Sequence, residues 1–228
     1  TSVSRGLGDV YKRQAHIRQT FYDSDWYLKA QEIVQEYPSE NEPISSNSSL
    51  ESLGLSRALN KPFVFISSND NSSSRAINIV KEFKLSPWIL GSGYEYRVLD
   101  YFDEVKPFFI MPINFPAKPN VTKPMSDLQF STRELKHWDM APDNLLYLTN
   151  SEFDFSITSH GLKKKNDFRK NLQRIIERGL NKDIVLAALT TQPAEALGLE
   201  KSFGKIAKGY NANFCLLYTS PSPRDTEV

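Results

Sequence analysis

Small and polar residues that could carry chemistry follow four short apolar runs of the chain. The candidate pocket-lining residues are Ser67, Ser92, Glu95, Tyr96, Arg97, Asn114 and His160. His160 is the candidate for catalysis, because an imidazole changes its charge near neutral pH and can act as a base or as a binding group. An ordinary loop histidine before Gly161 is the competing interpretation.

Glu95 and Arg97 lie close together after the second apolar run, in the sequence GSGYEYR. Their opposite charges allow two interpretations. They could line a polar pocket, or they could form a solvated ion pair at the start of a helix. The GSG turn before them is too short to predict a phosphate-binding loop by itself. Both interpretations stay open at the level of the sequence.

Four predicted strand–helix units position these residues. Each unit is an apolar run, read as a strand, followed by a segment that leads to the next strand. The runs are PFVFISS, PWILGSG, PFFIMPINF and FDFSITSHG. Consecutive strand–helix units predict parallel strands, because parallel neighbours need a crossover connection. Unbroken apolar runs predict strands that are buried on both faces. Polar residues at the carboxyl ends of such strands are typical of a (β/α) barrel, of which four units make half. A flavodoxin-like open sheet also fits the pattern.

Helices are predicted on both sides of these units. One covers residues 15–37 and another covers residues 50–59, before the first strand. A further helix starts at Asn181, and Gly198 is placed to cap its end. After it, the stretch 204–214 predicts two short strand segments around a glycine turn.

The two ends of the chain, residues 1–14 and 215–228, indicate an origin outside the protein. Codons for residues 215–225 can be chosen so that the opposite strand, shifted by one base, encodes residues 4–13. Two segments of one protein have no reason to encode each other's opposite strand, and the shared DNA resembles a transposase sequencing adapter. We therefore interpret both ends as translated adapter, expect them to be disordered, and exclude them from fold reasoning.

The insert that remains, residues 15–214, is electrically neutral. Removing the four basic and three acidic residues of the two ends from totals of 28 and 27 leaves 24 of each sign. This balance gives no sign of a nucleic-acid or charged-membrane partner, and no apolar run is long enough to predict a membrane span. Cys215 is the only cysteine, so thiol catalysis, disulfides and cysteine metal sites are excluded within the insert.

The stretch 188–214, ALTTQPAEALGLEKSFGKIAKGYNANF, resembles the end of the amidohydrolase superfamily barrel. In that family an Ala-rich helix is followed by Thr-x-x-Pro-Ala-x-x-Leu-Gly and then by Gly-x-Ile-x-x-Gly-x-x-Ala-Asp-hydrophobic. The matching positions are Thr190, Pro193, Ala194, Leu197, Gly198, Gly204, Ile206, Gly209, Ala212 and Phe214. Asn213 stands where Asp is commoner. The upstream insert resembles the imidazolonepropionase-like branch of the superfamily.

The resemblance implies a fold and a domain organisation. Residues 15–200 are expected to form the second half of an eight-stranded (β/α) barrel, an α/β fold of the TIM type, from strand five to strand eight. Residues 201–214 are expected to start the small β-sandwich that flanks the barrel. The family's first-strand His-x-His pair and strand-four ligand would then lie mostly before Ala15.

The resemblance also implies metal chemistry. Family members hydrolyse C–N bonds other than peptide bonds with a divalent metal, usually zinc, which lowers the pKa of bound water. Their ligands are histidines after strands five and six and an aspartate after strand eight. This sequence has Ser67, Gly91–Ser92 and His160 at those places. A serine hydroxyl is a poor zinc ligand, and one histidine cannot hold a catalytic metal alone. We therefore expect this half to bind neither metal nor cofactor.

Three functional hypotheses follow. The first is a non-catalytic amidohydrolase-like half-barrel, whose partner is the missing remainder of its own barrel or a second amidohydrolase domain. The second is an active amidohydrolase completed by the missing half. The third is a barrel that binds a small polar ligand. An isolated half-barrel is also expected to fold poorly, because its strand edges are open.

Overall fold

The computed structural model describes residues 2–120 and 130–213, with side chains from Tyr11 onward. The chain divides into two compact units, with the boundary between Phe109 and Ile110. The adapter-derived end predicted over residues 215–228 lies outside the described residues.

The first unit begins with two helices and continues with two strands separated by a third helix. In chain order these elements are α1 (Ser2–Glu36), α2 (Ser48–Ala58), β1 (Pro62–Ile66), α3 (Asp70–Phe83) and β2 (Ser86–Leu90). The boundary between the units falls inside β3 (Phe108–Pro112). The helices predicted over 15–37 and 50–59 are confirmed by α1 and α2.

The second unit continues from β3 with helices and one further strand in its described part. These elements are α4 (Thr132–Met140), α5 (Asn144–Asn150), β4 (Phe155–Thr158), α6 (Asp167–Glu177), α7 (Lys182–Leu189) and α8 (Thr191–Ala196). None of the helices in the described part of the chain has the length and apolarity that a membrane crossing needs.

The strands form a parallel sheet in the order β1–β2–β3–β4, so neighbours along the chain are also neighbours in the sheet. β1 and β2 pair in parallel, with Val64 opposite Trp88 and Ile66 opposite Leu90. The α/β class and the parallel strands predicted from the sequence are therefore confirmed.

Aromatic side chains hold the helices and the first strand of the first unit together. Phe21 of α1 stacks on Phe83 of α3 with ring centroids 4.8 Å apart, and Phe63 of β1 meets Phe21 edge-on at 5.8 Å. Arg57 of α2 lies 5.6 Å from the centroids of both stacked rings and forms an ion pair with Asp25. Such ring contacts stabilise the packing beyond the area that they bury.

Local sequence decides where α3 begins and ends. Asn69 Oδ1 accepts a hydrogen bond from the Ser72 N–H at 2.9 Å, and Ser72 Oγ accepts one from the Asn69 N–H at 3.0 Å. This reciprocal capping box satisfies backbone donors that the first turn of a helix leaves without partners. Lys84, in the left-handed region with φ 51°, ends the helix.

The helix predicted from Asn181 onward is divided into α7 and α8 at Thr190, whose φ of −134° and ψ of −74° leave the helical region. Pro193 explains the break, because a proline ring inside a helix clashes with the carbonyl four residues earlier, here that of Leu189. Gly198 has φ +69°, and its N–H donates to the carbonyl three residues earlier at 3.0 Å. The predicted glycine cap is therefore confirmed.

Two predicted end segments differ from the structure. Residues 2–14, expected to be disordered, belong to the backbone of α1. An existing helix gains one hydrogen bond for each residue that it adds, and residues 2–14 contain no proline to stop it. Residues 201–213 form turns and no strand, so the strands expected there are not formed. An isolated two-stranded hairpin is marginal without further strands or a helix to pack against.

β1 is buried on one face only. Phe63 and Phe65 are half-buried, whereas Val64 is 55% exposed and Ile66 is 78% exposed. The prediction that every strand is buried on both faces is therefore wrong for β1, because the described residues leave the face that carries Val64 and Ile66 uncovered.

The segment after β2 does not complete a strand–α-helix unit. It forms two short 3₁₀ turns, Glu95–Arg97 and Leu99–Tyr101. The side chain of Glu95 accepts hydrogen bonds from the backbone just before the first turn.

Candidate functional site

Ser67 lies immediately after β1 and is buried. Its N–H donates to the Leu90 carbonyl at 2.9 Å, which continues the pairing of β1 with β2 past the end of the strand. Its hydroxyl donates to the Asn69 carbonyl at 2.9 Å and lies 2.5 Å from the Ser73 hydroxyl. A serine hydroxyl has one proton and two lone pairs, so these contacts use most of its capacity. Ser67 therefore anchors the start of α3.

Glu95 is the most deeply buried carboxylate at the strand ends of the first unit, with 0% of its surface exposed. One carboxylate oxygen, Oε1, accepts from the Ser92 N–H at 2.6 Å and from the Ser92 hydroxyl at 3.0 Å. The other oxygen, Oε2, accepts from the Gly93 N–H at 2.9 Å. Hydrogen bonds to an ionised carboxylate are roughly twice as strong as neutral ones. The carboxylate therefore holds the GSG turn in place.

Arg97 pairs with Asp70, with 3.1 Å between Nη1 and Oδ2. The solvated ion pair between Glu95 and Arg97 that the sequence allowed is therefore wrong, because Glu95 is buried and Arg97 is bound elsewhere. Tyr96 lies between them and is half-buried. Asp70 was not among the predicted site residues. An acid directly after the helix cap Asn69 was the available signal, because a helix N-terminus favours negative charge.

Asn114 and His160 follow β3 and β4 and are both exposed. The Asn114 amide packs over Gly161, so closely that a Cβ on that glycine would lie 2.4 Å from Asn114 Nδ2. Thr158 Oγ1 accepts from the His160 N–H at 3.2 Å, which fixes the backbone that carries the imidazole. The structure therefore brings the predicted amide and the predicted histidine to one place in the second unit.

The segment that carries Asn114 is held by α6. Asn171 Nδ2 donates to the Ile113 carbonyl at 2.6 Å. The Arg174 guanidinium lies 5.7 Å from the centroid of the Phe115 ring, a cation–π contact. The residues on either side of Asn114 are thus both fixed to the same helix, and this limits the positions that the amide can take.

The strand-end residues do not fit a divalent metal of the kind that the sequence resemblance implies. No cluster of three or more His, Cys, Asp or Glu side chains able to hold a metal occurs within residues 2–120 and 130–213. Both carboxylate oxygens of Glu95 already accept hydrogen bonds from backbone N–H groups, and the Ser67 hydroxyl already donates to the turn that begins α3. His160 offers one imidazole, and zinc sites need three or four ligands.

A groove of about 790 Å³ in the second unit contains none of the predicted site residues. It is lined on α6 by the apolar Leu172 and Ile176 and by the basic Arg169 and Lys170, with Lys182 of α7 at its border. No sequence pattern indicates this groove, because a groove depends on how α6 and α7 are arranged.

No protein-family model matches the chain, and no curated protein matches it. A solved structure of an amidohydrolase from Thermotoga maritima MSB8 is similar to the chain, with a TM-score of 0.66 and 21% sequence identity. The match covers 87% of this chain and 48% of that one, so the chain spans about half the length of the amidohydrolase. At this identity the similarity establishes an amidohydrolase-like fold.

Proposed function

We propose that the chain is half of an amidohydrolase-like (β/α) barrel and that this half takes no part in metal-assisted hydrolysis. The observation that carries the proposal is that Ser67 and the Glu95 carboxylate are hydrogen-bonded within the turns that follow β1 and β2. Ser67 and Gly91–Ser92 stand where the resemblance puts the histidine ligands after β1 and β2. Ser67 is bound to the first turn of α3, and Ser92 is bound to the Glu95 carboxylate. Its function would be that of a scaffold for the rest of the barrel.

The same proposal includes the branch of the superfamily, the role of residues 201–214 and the origin of the two ends of the chain. The motif around Pro193 and Gly198 supports the amidohydrolase superfamily, and the resemblance of the insert upstream of it supports the imidazolonepropionase-like branch. Residues 201–214 would become strands of the flanking sandwich once the neighbouring strands are present to pair with them. The opposite-strand relation between residues 1–14 and 215–228 supports their origin as translated adapter, and the protein as expressed naturally would lack them.

The partner that fits best is a complementary half-barrel of the same fold. One face of β1 is apolar and exposed at Val64 and Ile66, and in the parallel pairing these residues lie opposite Trp88 and Leu90 of β2. Parallel sheets occur almost only with both faces covered. A length of about half that of the similar amidohydrolase also fits a chain that needs a second set of strands.

Maleimide labelling tests this partner. The background would be Cys215→Ser, because Cys215 is the only cysteine. In that background, Ile66→Cys should react quickly in the 228-residue chain. In the longer natural protein, which lacks Cys215 and would have any cysteines of its own replaced, Ile66→Cys should react at least about ten-fold more slowly, because burial excludes the reagent. Leu55→Cys on α2, with 49% exposure, is the matched control and should react quickly in both. Equal rates for Ile66→Cys in the two proteins would contradict a covering half-barrel.

Elemental analysis tests the absence of a metal role. We expect the full-length natural protein, equilibrated with zinc and desalted, to retain no zinc that depends on this half. His160→Ala should leave its zinc content unchanged, because a single exposed imidazole cannot hold the ion. Stoichiometric zinc that disappears with His160→Ala would overturn the proposal and favour the active amidohydrolase.

A second candidate function is the binding of a small polar ligand, and the pair formed by Asn114 and His160 favours it. Both side chains are exposed, and Asn114 is packed directly over the glycine that follows His160. An amide and an imidazole together offer donors and acceptors for hydrogen bonds. A ligand screen by NMR would support this function if shifts at His160 vanish in Asn114→Ala, and would exclude it if no compound shifts either residue.

A further inference from the structure

The GSG turn after β2 has the shape of a backbone anion site. Gly93 is left-handed with φ +88°, and the N–H groups of Ser92 and Gly93 both point at the same carboxylate. Successive backbone N–H groups in a turn of this kind form a concavity, or nest, that binds anions such as phosphate. Here the occupant is the side chain of Glu95, two residues further along the chain.

We propose that Glu95 is an internal anion that fills this nest, and that it is a positioning residue for the loop after β2. The carboxylate stands where a free anion would bind in a turn of the same shape. Each of its two oxygens accepts from a different residue of the turn: Oε1 accepts from the Ser92 N–H and Oε2 accepts from the Gly93 N–H. Complete burial of the carboxylate keeps water from competing for the donors. The proposal holds whether or not the barrel is catalytic.

The filled nest has a consequence for the strand end next to it. Glu95 begins the 3₁₀ turn Glu95–Arg97, so its anchored carboxylate fixes where Arg97 leaves the turn. Arg97 in turn reaches Asp70, the first residue of α3. The loop after β2 is thereby tied to the helix that follows β1. Loss of the Glu95 anchor should therefore also loosen the contact between Arg97 and Asp70.

Chemical rescue distinguishes an anion in a nest from an ordinary packed side chain. In Glu95→Ala, the backbone amides of Ser92 and Gly93 should exchange with deuterium about ten- to hundred-fold faster than in the parent chain, because charge-assisted bonds are lost. Sodium formate should then restore their protection and raise the thermal midpoint. Sodium chloride at the same ionic strength should do so far less, and formate should not change the parent chain.

Two further variants keep the test decisive if Glu95→Ala does not fold. Glu95→Gln keeps the shape but has one acceptor oxygen, so the amide of either Ser92 or Gly93 should lose protection while the other keeps it. Glu95→Leu fills the space without accepting any bond, and it should lose protection at both amides with no response to formate. Full protection in Glu95→Gln and Glu95→Leu would show that packing holds the turn, and the proposal would be overturned. So would a folded Glu95→Ala that formate does not restore.

Discussion

The strand ends of the first unit and those of the second use polar residues in opposite ways. After β1 and β2, Ser67 and Glu95 are buried and bound to backbone and hydroxyl groups of their own turns. After β3 and β4, Asn114 and His160 are exposed. A polar residue at the end of a strand is therefore available for chemistry only where the surrounding backbone does not already bind it.

Local sequence explains the difference. The stretch after β1, SSNDNSSS, places several hydroxyls where the first turn of α3 has donors to satisfy, and Ser67 joins that network. The stretch after β2 offers two backbone N–H groups at a glycine turn, and Glu95 is near enough to fill them. In the second unit the turn at Gly161 is set by backbone conformation, with φ +76°. The side chain that bonds to that turn is Thr158, whose hydroxyl accepts from the His160 N–H, and the His160 imidazole stays exposed.

Ser67→Val should give the largest loss of stability among single changes at these strand ends. The substitution removes the hydroxyl that lies 2.5 Å from the Ser73 hydroxyl and puts a larger, apolar side chain in its buried place. The Asn69 carbonyl keeps the Ser72 hydroxyl and the N–H groups of Ser72 and Ser73 as donors. We expect the free energy of unfolding to fall by about 2 kcal/mol, from the lost buried hydrogen bonds of the hydroxyl and from overpacking by the larger side chain. Urea denaturation followed by tryptophan fluorescence measures it.

Ser68→Ala is the matched control for this change. Ser68 is the next residue, is exposed, and its hydroxyl lies 3.5 Å from that of Ser72, at the limit of a hydrogen bond. We expect a change below about 0.5 kcal/mol. Similar losses for Ser67→Val and Ser68→Ala would mean that burial does not separate the roles of the two hydroxyls.

In the second unit, Gly161→Ala should cost more than the loss of the neighbouring imidazole. An alanine at φ +76° is strained, and its Cβ would force Asn114 to move. We expect a loss of about 1 kcal/mol from the left-handed conformation. His160→Ala should change stability by less than about 0.5 kcal/mol, because the side chain is exposed. A larger loss from His160→Ala than from Gly161→Ala, in the same denaturation experiment, would mean that His160 has a structural role like that of Ser67.

The elements were predictable from the sequence where the signal was local. Apolar runs located the four strands, and the cap at Gly198 follows from short-range geometry that a few residues encode. The break at Thr190 was also encoded, by Pro193, but the Ala-rich helical pattern obscured it. The burial of Glu95 could not be predicted, because it depends on two backbone N–H groups pointing the same way. The one-sided exposure of β1 depends on which elements pack over each of its faces, and no local pattern reports that.

The smallest expected effect is on the pH dependence of stability, through one exposed carboxylate in each unit. The Ser131 hydroxyl and N–H donate to Glu134 at 2.7 and 2.8 Å and hold the pKa of that carboxyl below its usual 4.5. In the first unit, the Arg18 guanidinium is the main cause that lowers the pKa of Glu82. A lowered folded-state pKa means that the stabilisation is present above the unfolded-state pKa and is lost as pH falls through the folded-state pKa.

Glu134→Gln and Glu82→Gln should therefore each flatten the fall in stability below about pH 4.5, the region where carboxyl groups of unfolded chains take up protons. Thermal midpoints measured between about pH 6 and pH 3 would show the variants converging on the parent chain at the acid end. Glu82→Gln should lose its effect at high salt, because its partner is a surface charge that salt screens. Glu134→Gln should keep its effect there, since a capping box depends on short hydrogen bonds. If salt changed the effects of Glu82→Gln and Glu134→Gln equally, it would contradict the view that Glu82 stabilises by charge pairing and Glu134 by helix capping.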